Sequence, residues 1–560
     1  MLFERLKDAS FWHGVRDDAK YAELLTEVRR RWESLRYVGE IPVLTYEARM
    51  LFYKTGDRKV FETPYFRRRN SLSLAAVLSL IEPENREYVD YAQRMLWAIC
   101  DEYSWAVPAH TKGDPATDVG EIDLFNAETA FAVTEICEVL GDRLDVAVRT
   151  RVRMEVERRI FDTYRTRVSW YETLTSNWAA VCGGCVGGAM MYLAPDLFSR
   201  YLPRFLDTMR RFISGFSDEG ICMEGTSYWN YGFANFTWFS DMLLDFTNGK
   251  VDLFDDEKTA RVASYMHKSF LKGNTTVSFS DGTQCGKAFD ALQYYLSLRY
   301  PEAVSLLPKE CSYVLGGNVI WMNLLRAFLY APPTDALRVM RSENYDLLQA
   351  QQVIVNEERY SLFAKAGDNA EQHNHNDVGS FILSTDAGQV FCDIGSGLYT
   401  KQYFRFGMDQ RYAILCNSSL GHSVPIVNGQ PQLCGKQYAG SIAHVGNRIE
   451  IEMAGAYGQA SFDRLTRVLE HRADGVRLTD RFSACESFTE RFVTMIEPVV
   501  EENTVRVANV VLKFDADAVT PVIHKETHVN HAGNGETVYC IDFEVLASCG
   551  HCALEFIIKS

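Results

Sequence analysis

No stretch of this 560-residue chain approaches the ~20 consecutive apolar residues that a membrane-crossing helix requires, so no membrane partner is expected. The opening Met-Leu-Phe-Glu-Arg-Leu-Lys-Asp is charged and lacks the apolar run and small-residue cleavage site of a secretory signal. The expected location is cytoplasmic, or periplasmic or secreted where such a signal has been trimmed. Positive charge is also scarce: 58 Lys and Arg against 74 Asp and Glu leave a formal charge of −16, which excludes the basic footprint of a nucleic-acid partner. Phosphate-cradling glycine loops are absent, Gly316-Gly317 reading as a turn. The Gly-x-Ser-x-Gly elbow of serine hydrolases is missing too, Gly395-Ser396-Gly397 being too short. Fourteen cysteines in so long a chain fit buried or free thiols better than a disulfide framework. The pairs Cys182/Cys185 and Cys549/Cys552 are too far apart for a ribbon-type zinc site, and the second precedes a terminal strand instead of opening a helix, so no thiol function is expected.

What is present falls into two halves with different periods. In residues 1–330, segments such as 20–35, 85–103, 128–140, 144–164 and 202–216 repeat apolar residues at three- and four-residue spacing, which predicts helices. Many helices in one layer suggest an α/α toroid or a large bundle. Ala331-Pro332-Pro333-Thr334 breaks this pattern and marks the boundary. Beyond it, residues 360–365, 379–384, 389–394, 448–453, 466–470, 476–482 and 505–514 alternate or run β-branched and aromatic, which predicts antiparallel strands in a sandwich over residues 331–560. The aromatic content of 12% suits both cores and the flat faces of sugars. The acidic total says nothing about one cleft, and Arg67-Arg68-Arg69 is a candidate basic lining.

Three segments carry chemistry. His373-Asn374-His375-Asn376-Asp377 concentrates bases and ligands just before an apolar strand. If it is extended, His373 and His375 share a face. Asp393 lies across the 386–388 hairpin and His422 follows in Leu420-Gly421-His422-Ser423, so His375, Asp393 and His422 form a plausible zinc set. Asn177-Trp178 opens a helix rich in small residues, where a simple cap is the competing explanation. In Glu224-Gly225-Thr226-Ser227-Tyr228-Trp229-Asn230-Tyr231, helical spacing puts Tyr228 and Tyr231 on one face and Trp229 on another, with plain aromatic packing as the competing explanation.

With these segments in place, the chain resembles the heparinase II/III-like polysaccharide lyases over nearly its whole length. The His373–Asp377 segment followed by Gly379 is the most specific motif. Asn177-Trp178, the 224–232 stretch, and Trp105-Ala106-Val107-Pro108-Ala109-His110 with Asp123-Leu124 and Glu128 add support. The resemblance implies an incomplete α/α toroid followed by an antiparallel β-sandwich, with substrate in the cleft between them. It implies Tyr231 as the catalytic tyrosine, Asn177 facing a uronate carboxylate and His373 as the catalytic histidine. His375, Asp393 and His422 match the ligands of zinc-containing members, where the metal is expected to be structural. Trp105, His110, Trp178, Glu224 and Tyr228 are the expected substrate-binding residues. The chain departs from some relatives by carrying Asn177 where they place a histidine base, which argues against iduronate-type elimination through that base.

The implied reaction removes the C5 proton of a uronic acid and expels the 4-linked oxygen of an acidic oligo- or polysaccharide, glycosaminoglycans being the nearest class. A tyrosine, with a reference pKa of ~10, is expected to need nearby positive charge or donors to serve as base. A uronyl C5-epimerase, a glycoside hydrolase on the same scaffold and a non-catalytic glycan-binding protein are the alternative readings. Oligomeric state and the choice between endo and exo action are not readable from the sequence.

Overall fold

The structure, a computed structural model, describes residues 2–111, 120–515, 519–546, 548 and 550–559; Cys549 of the second cysteine pair lies outside them. The chain divides into two compact units that interleave in sequence. One, helical, comprises residues 1–215, 228–263 and 288–339. The other, dominated by strands, takes residues 216–227 and 264–287 as well as 340–560. The single boundary expected at 330/331 therefore misses two segments of the first half. Hydrogen bonding explains the second of them. Lys272 N donates to Ser361 Oγ, and Gln389 Nε2 donates to the Thr276 carbonyl, so residues 264–287 satisfy their polar groups on the strands.

In the helical unit, Leu124–Leu140 packs on Asn177–Leu193, which packs on Pro195–Ser214. Small residues make this close approach possible. A Cβ on Gly188 would stand 2.6 Å from the Phe131 ring, and one on Gly187 would stand 2.6 Å from Phe239 of the helix Thr226–Phe246. Asp123 starts the Leu124–Leu140 helix with a reciprocal capping box to Asn126. The basic run expected as a cleft lining is used inside the fold instead. Arg68 and Arg69 both pair with the buried Glu102, at 2.9 and 2.8 Å, while Arg67 donates to the carbonyls of Leu35 and Arg36.

Among the described residues, the β unit holds three main antiparallel sheets. Five strands run in the spatial order Gly388–Phe391, Phe381–Thr385, Ser361–Lys365, Gln352–Asn356 and Tyr345–Leu347. A nine-stranded sheet has Gly475–Phe482, Leu465–Arg472, Arg448–Glu452 and Gly435–Val445 as successive neighbours, with Gly367–Asn369 at its edge. A four-stranded sheet contains Phe488–Thr494 and Gly535–Val545. One core joins all three: Val353, Leu362 and Phe381 meet Ile449, Leu469 and Phe556, and Phe492 and Ile541. The fully buried Arg467 pairs with Asp480 and Glu490 and donates to the carbonyls of Gly379 and Ser423, pinning the chain just after the His373–Asp377 segment and just after His422.

Candidate functional site

Within the helical unit, the glycine-lined packing sets three neighbouring helices around one polar group. Tyr231 donates its hydroxyl to Glu128 Oε1 at 2.7 Å. Gly232, the next residue, lies so near Asn177 that a Cβ there would sit 2.9 Å from the Asn177 Cβ. Burial pushes the Glu128 carboxyl up to about 7; the Tyr231 hydrogen bond opposes this and the charge of Asp123 adds to it. Burial, and then the Glu128 charge, hold the Tyr231 hydroxyl well above its ordinary value. The tyrosine thus faces a carboxylate, where the sequence reading expected positive charge or donors. Asn177 is only 3% exposed, so of the proposed catalytic residues in this unit it offers the least surface to a ligand.

An aromatic group stands in the same unit. The His110 ring lies on Phe125 and edge-on to Trp178, with centroids 4.8 and 4.9 Å away, and Trp178 contacts Trp170 at 4.7 Å. His110 Nδ1 is 3.1 Å from Asp123 Oδ2. Trp105, expected to bind substrate, does not belong to this surface. It is 1% exposed, its indole N–H donates to the Ile99 carbonyl and the Arg159 guanidinium covers its ring. A side chain committed on every side to its own core has no face left for a sugar. Tyr228 is half-buried, and Trp229 is buried with its N–H on the Val262 carbonyl.

In the β unit, the His373–Asp377 segment is a turn and not an extended strand. His373 has φ +56°, a left-handed conformation costly for a residue with a Cβ. What gathers the two histidines is Asp281, which sequence reasoning missed. His373 Nδ1 lies 2.5 Å from one of its oxygens and His375 Nε2 3.3 Å from the other. Tyr399 donates to Asp281 at 2.9 Å, Tyr403 donates as well, and Arg411 Nη2 approaches to 3.5 Å. Burial disfavours the charge on Asp281, but the hydrogen bonds from His373 and His375 outweigh it and hold the carboxyl well below its usual range. Arg411 also donates to the carbonyls of His373 and Asn374, fixing the strained turn. Glu224, itself buried, lies 3.7 Å from His373 Nε2. Glu219 accepts the backbone N–H groups of Gln349 and Ala350, a structural use.

The three expected metal ligands do converge. His375, Asp393 and His422 are all buried, and one ligand atom from each lies within 4.8 Å of the others. His422 Nδ1 is 3.2 Å from Asp393 Oδ2, without hydrogen-bond geometry, and His375 Nδ1 has no hydrogen-bond partner. The other ring nitrogens are engaged outward, His375 Nε2 with Asp281 and His422 Nε2 with the Cys416 carbonyl at 2.9 Å. Two inward nitrogens beside a carboxylate, each ring held from behind by an acceptor, is the donor arrangement of a divalent metal centre. The group can hold such an ion.

Solved structures with this architecture were found by comparison of the fold. Heparinase III superposes with a TM-score of 0.61 at 12% identity, over 97% of this chain and 91% of that one. The chain has the heparinase III fold. The heparan sulfate lyase of Pedobacter heparinus gives 0.56 at 12% identity over 97% and 88% of the two chains. The chondroitin AC lyase of Streptomyces coelicolor gives 0.51 at 9%, over 96% and 83%. No protein-family model matches the sequence, and no curated protein does. Asn177 and Tyr231 belong to the helical unit, whereas His373, Glu224 and the metal-ligand group belong to the β unit.

Proposed function

We propose that this protein is a polysaccharide lyase that cleaves uronic-acid-containing glycans by β-elimination. The observation that carries the reading is the Tyr231–Glu128 pair, a phenol held 2.7 Å from a carboxylate that burial keeps near neutrality in pKa. The similar structures support it, being named for heparan sulfate and chondroitin, and make glycosaminoglycans the proposed substrate class.

Glu128 changes the account of the base. A phenol held far above its ordinary pKa is almost never ionised, so no free phenolate stands ready to take the proton. With its own proton donated to Glu128, the oxygen turns its lone pairs away from the carboxylate. In the proposed step the C5–H bond breaks and its proton bonds to the Tyr231 oxygen, while the proton already there passes to Glu128. The electron pair forms the C4–C5 double bond and the C4–O4 bond breaks. O4 then takes a proton from Tyr231, which regains one from Glu128, so the enzyme returns to its starting state. Asn177 and His373 are proposed to stabilise the charge that develops on the uronate carboxylate by hydrogen bonding. Asp281 and Arg411 are positioning residues for His373.

Zinc is the proposed ion for His375, Asp393 and His422, where its charge would lock the His373–Asp281 turn in place and leave the chemistry to the side chains.

Incubation with a panel of uronate glycans should raise absorbance at short ultraviolet wavelengths as the unsaturated, carboxylate-conjugated product forms. Tyr231→Phe should stop that rise while keeping the native circular dichroism. Products with saturated ends would sink the lyase assignment, and proton exchange without cleavage would point to an epimerase.

A further inference from the structure

A second histidine cluster lies in the β unit, apart from the residues discussed so far. His444 is on the strand Gly435–Val445 and His471 on Leu465–Arg472, two places along the nine-stranded sheet. Register puts them on one face: His444 pairs with Ile449, Ile449 with Leu469, and His471 follows Leu469 by two. Ile449 and Leu469 are core residues, so both rings point to the inner side of the sheet. Two carboxylates come from the opposing five-stranded sheet. Asp346, on the strand Tyr345–Leu347, lies 2.6 Å from His444 Nδ1, and Glu357, just after Gln352–Asn356, lies 3.0 Å from His471 Nδ1. The remaining nitrogens face each other, His444 Nε2 to His471 Nε2, at 3.3 Å.

Counting protons shows what this arrangement lacks. It contains three close contacts between electron-rich atoms, Asp346 to His444, His444 to His471, and His471 to Glu357. Two neutral imidazoles carry two N–H groups. When both Nδ1–H groups donate to the carboxylates, two Nε2 lone pairs are left pointing at each other. Moving either proton inward leaves a lone pair against a carboxylate instead. The cluster is short of one cation, and two flanking carboxylates favour supplying it.

We propose that His444 and His471 form a second metal site, taking a divalent transition ion of the zinc class through their Nε2 atoms. The separation fits an ion between the two rings. Bonds of about 2.0–2.1 Å to nitrogens 3.3 Å apart subtend an angle of roughly 104–111°, close to tetrahedral. Asp346 and Glu357 supply the carboxylate behind each ring that fixes its tautomer and raises its basicity, as metal-bound histidines usually have. Water completes the shell. Because ligands and supporting carboxylates come from different sheets, the ion ties the edges of the two together.

Metal stoichiometry tests this on the full chain. The metal-free protein, titrated with zinc, should bind two equivalents, one at each histidine group. His444→Ala with His471→Ala should bind one, and His375→Ala with His422→Ala should also bind one. Copper(II) loaded into the latter variant should show nitrogen hyperfine coupling from two imidazoles. Zinc should raise the melting temperature of that variant, and the rise should vanish when His444 is also changed to Gln. One equivalent in the native chain, still present in the His444/His471 variant, would overturn the proposal. So would nitrogen resonances of His444 and His471 showing a shared proton, unchanged by zinc. Loss of binding only in the His375/His422 variant would overturn this site and leave the first one standing.

Discussion

Changing Glu128 to Gln should make the protein more stable at alkaline pH while it sharply lowers turnover. Gln keeps an oxygen to accept the Tyr231 hydroxyl at the 2.7 Å contact but removes the charge and the ability to take a proton. Burial raises the Glu128 carboxyl from 4.5 to about 7 in the folded chain. A carboxyl raised on folding contributes stability that is complete below the unfolded value near 4.5 and lost as the pH rises through about 7. At about 1.4 kcal/mol per pH unit, keeping it ionised costs the native state at most about 3 kcal/mol above pH 8. Glu128 retains some solvent contact, which reduces the figure. Denaturant unfolding of both proteins at pH 5 and pH 8.5 should therefore show near-equal stabilities at the lower pH and an advantage of about 1–3 kcal/mol for the variant at the higher. Turnover should fall by about 10²–10⁴, the usual contribution of a general base, with KM little changed. In the parent protein kcat/KM should rise with pH through about 7, as Glu128 ionises, and that limb should be missing from the residual rate of the variant. A variant within threefold of parental activity with the limb intact, no more stable at pH 8.5 than the parent, would refute the relay; an active Tyr231→Phe would instead refute the assignment of the tyrosine.

Asp281→Asn should cost about 3 kcal/mol, since it removes the charge from a buried group contacting His373, His375, Tyr399, Tyr403 and Arg411, and kcat should drop with it; unchanged urea midpoints would contradict this. Zinc bound by His375, Asp393 and His422 should protect against thermal unfolding, and His422→Ala should remove that part of the protection as read by calorimetry. Gly188→Ala should destabilise by about 1–3 kcal/mol, because the new methyl group meets Phe131 at 2.6 Å, and should lower kcat by shifting the helix that carries Glu128; parental values for both would show that the packing is softer than the contact implies.

The residues of the candidate metal group were legible because each sits beside a local signal. His375 lies in a ligand-dense segment before a strand, Asp393 follows the second strand of a short hairpin, and His422 stands in a glycine-marked turn. Asp281 carried no such mark. Ser278-Phe279-Ser280-Asp281-Gly282 reads as an ordinary turn, and its partners lie some ninety to one hundred and thirty positions later. Glu128 was visible only as part of an early helix-loop segment, with nothing to reveal which of its neighbours would be a tyrosine one hundred and three positions away. Trp105 was expected at the substrate only through the family resemblance, and packing put its ring in the core.

Local covalent pattern was enough to determine the order of helical and strand-rich halves, the strand hairpin before Asp393 and the candidate metal-holding group, because periodicity and turn chemistry act over a few residues. Tertiary structure alone decided that residues 216–227 and 264–287 join the strands, that Arg67, Arg68 and Arg69 serve the interior, and that a carboxylate meets the Tyr231 hydroxyl. Those outcomes depend on which distant groups share a low-dielectric space once water has been expelled. Separation along the chain carries no information about that.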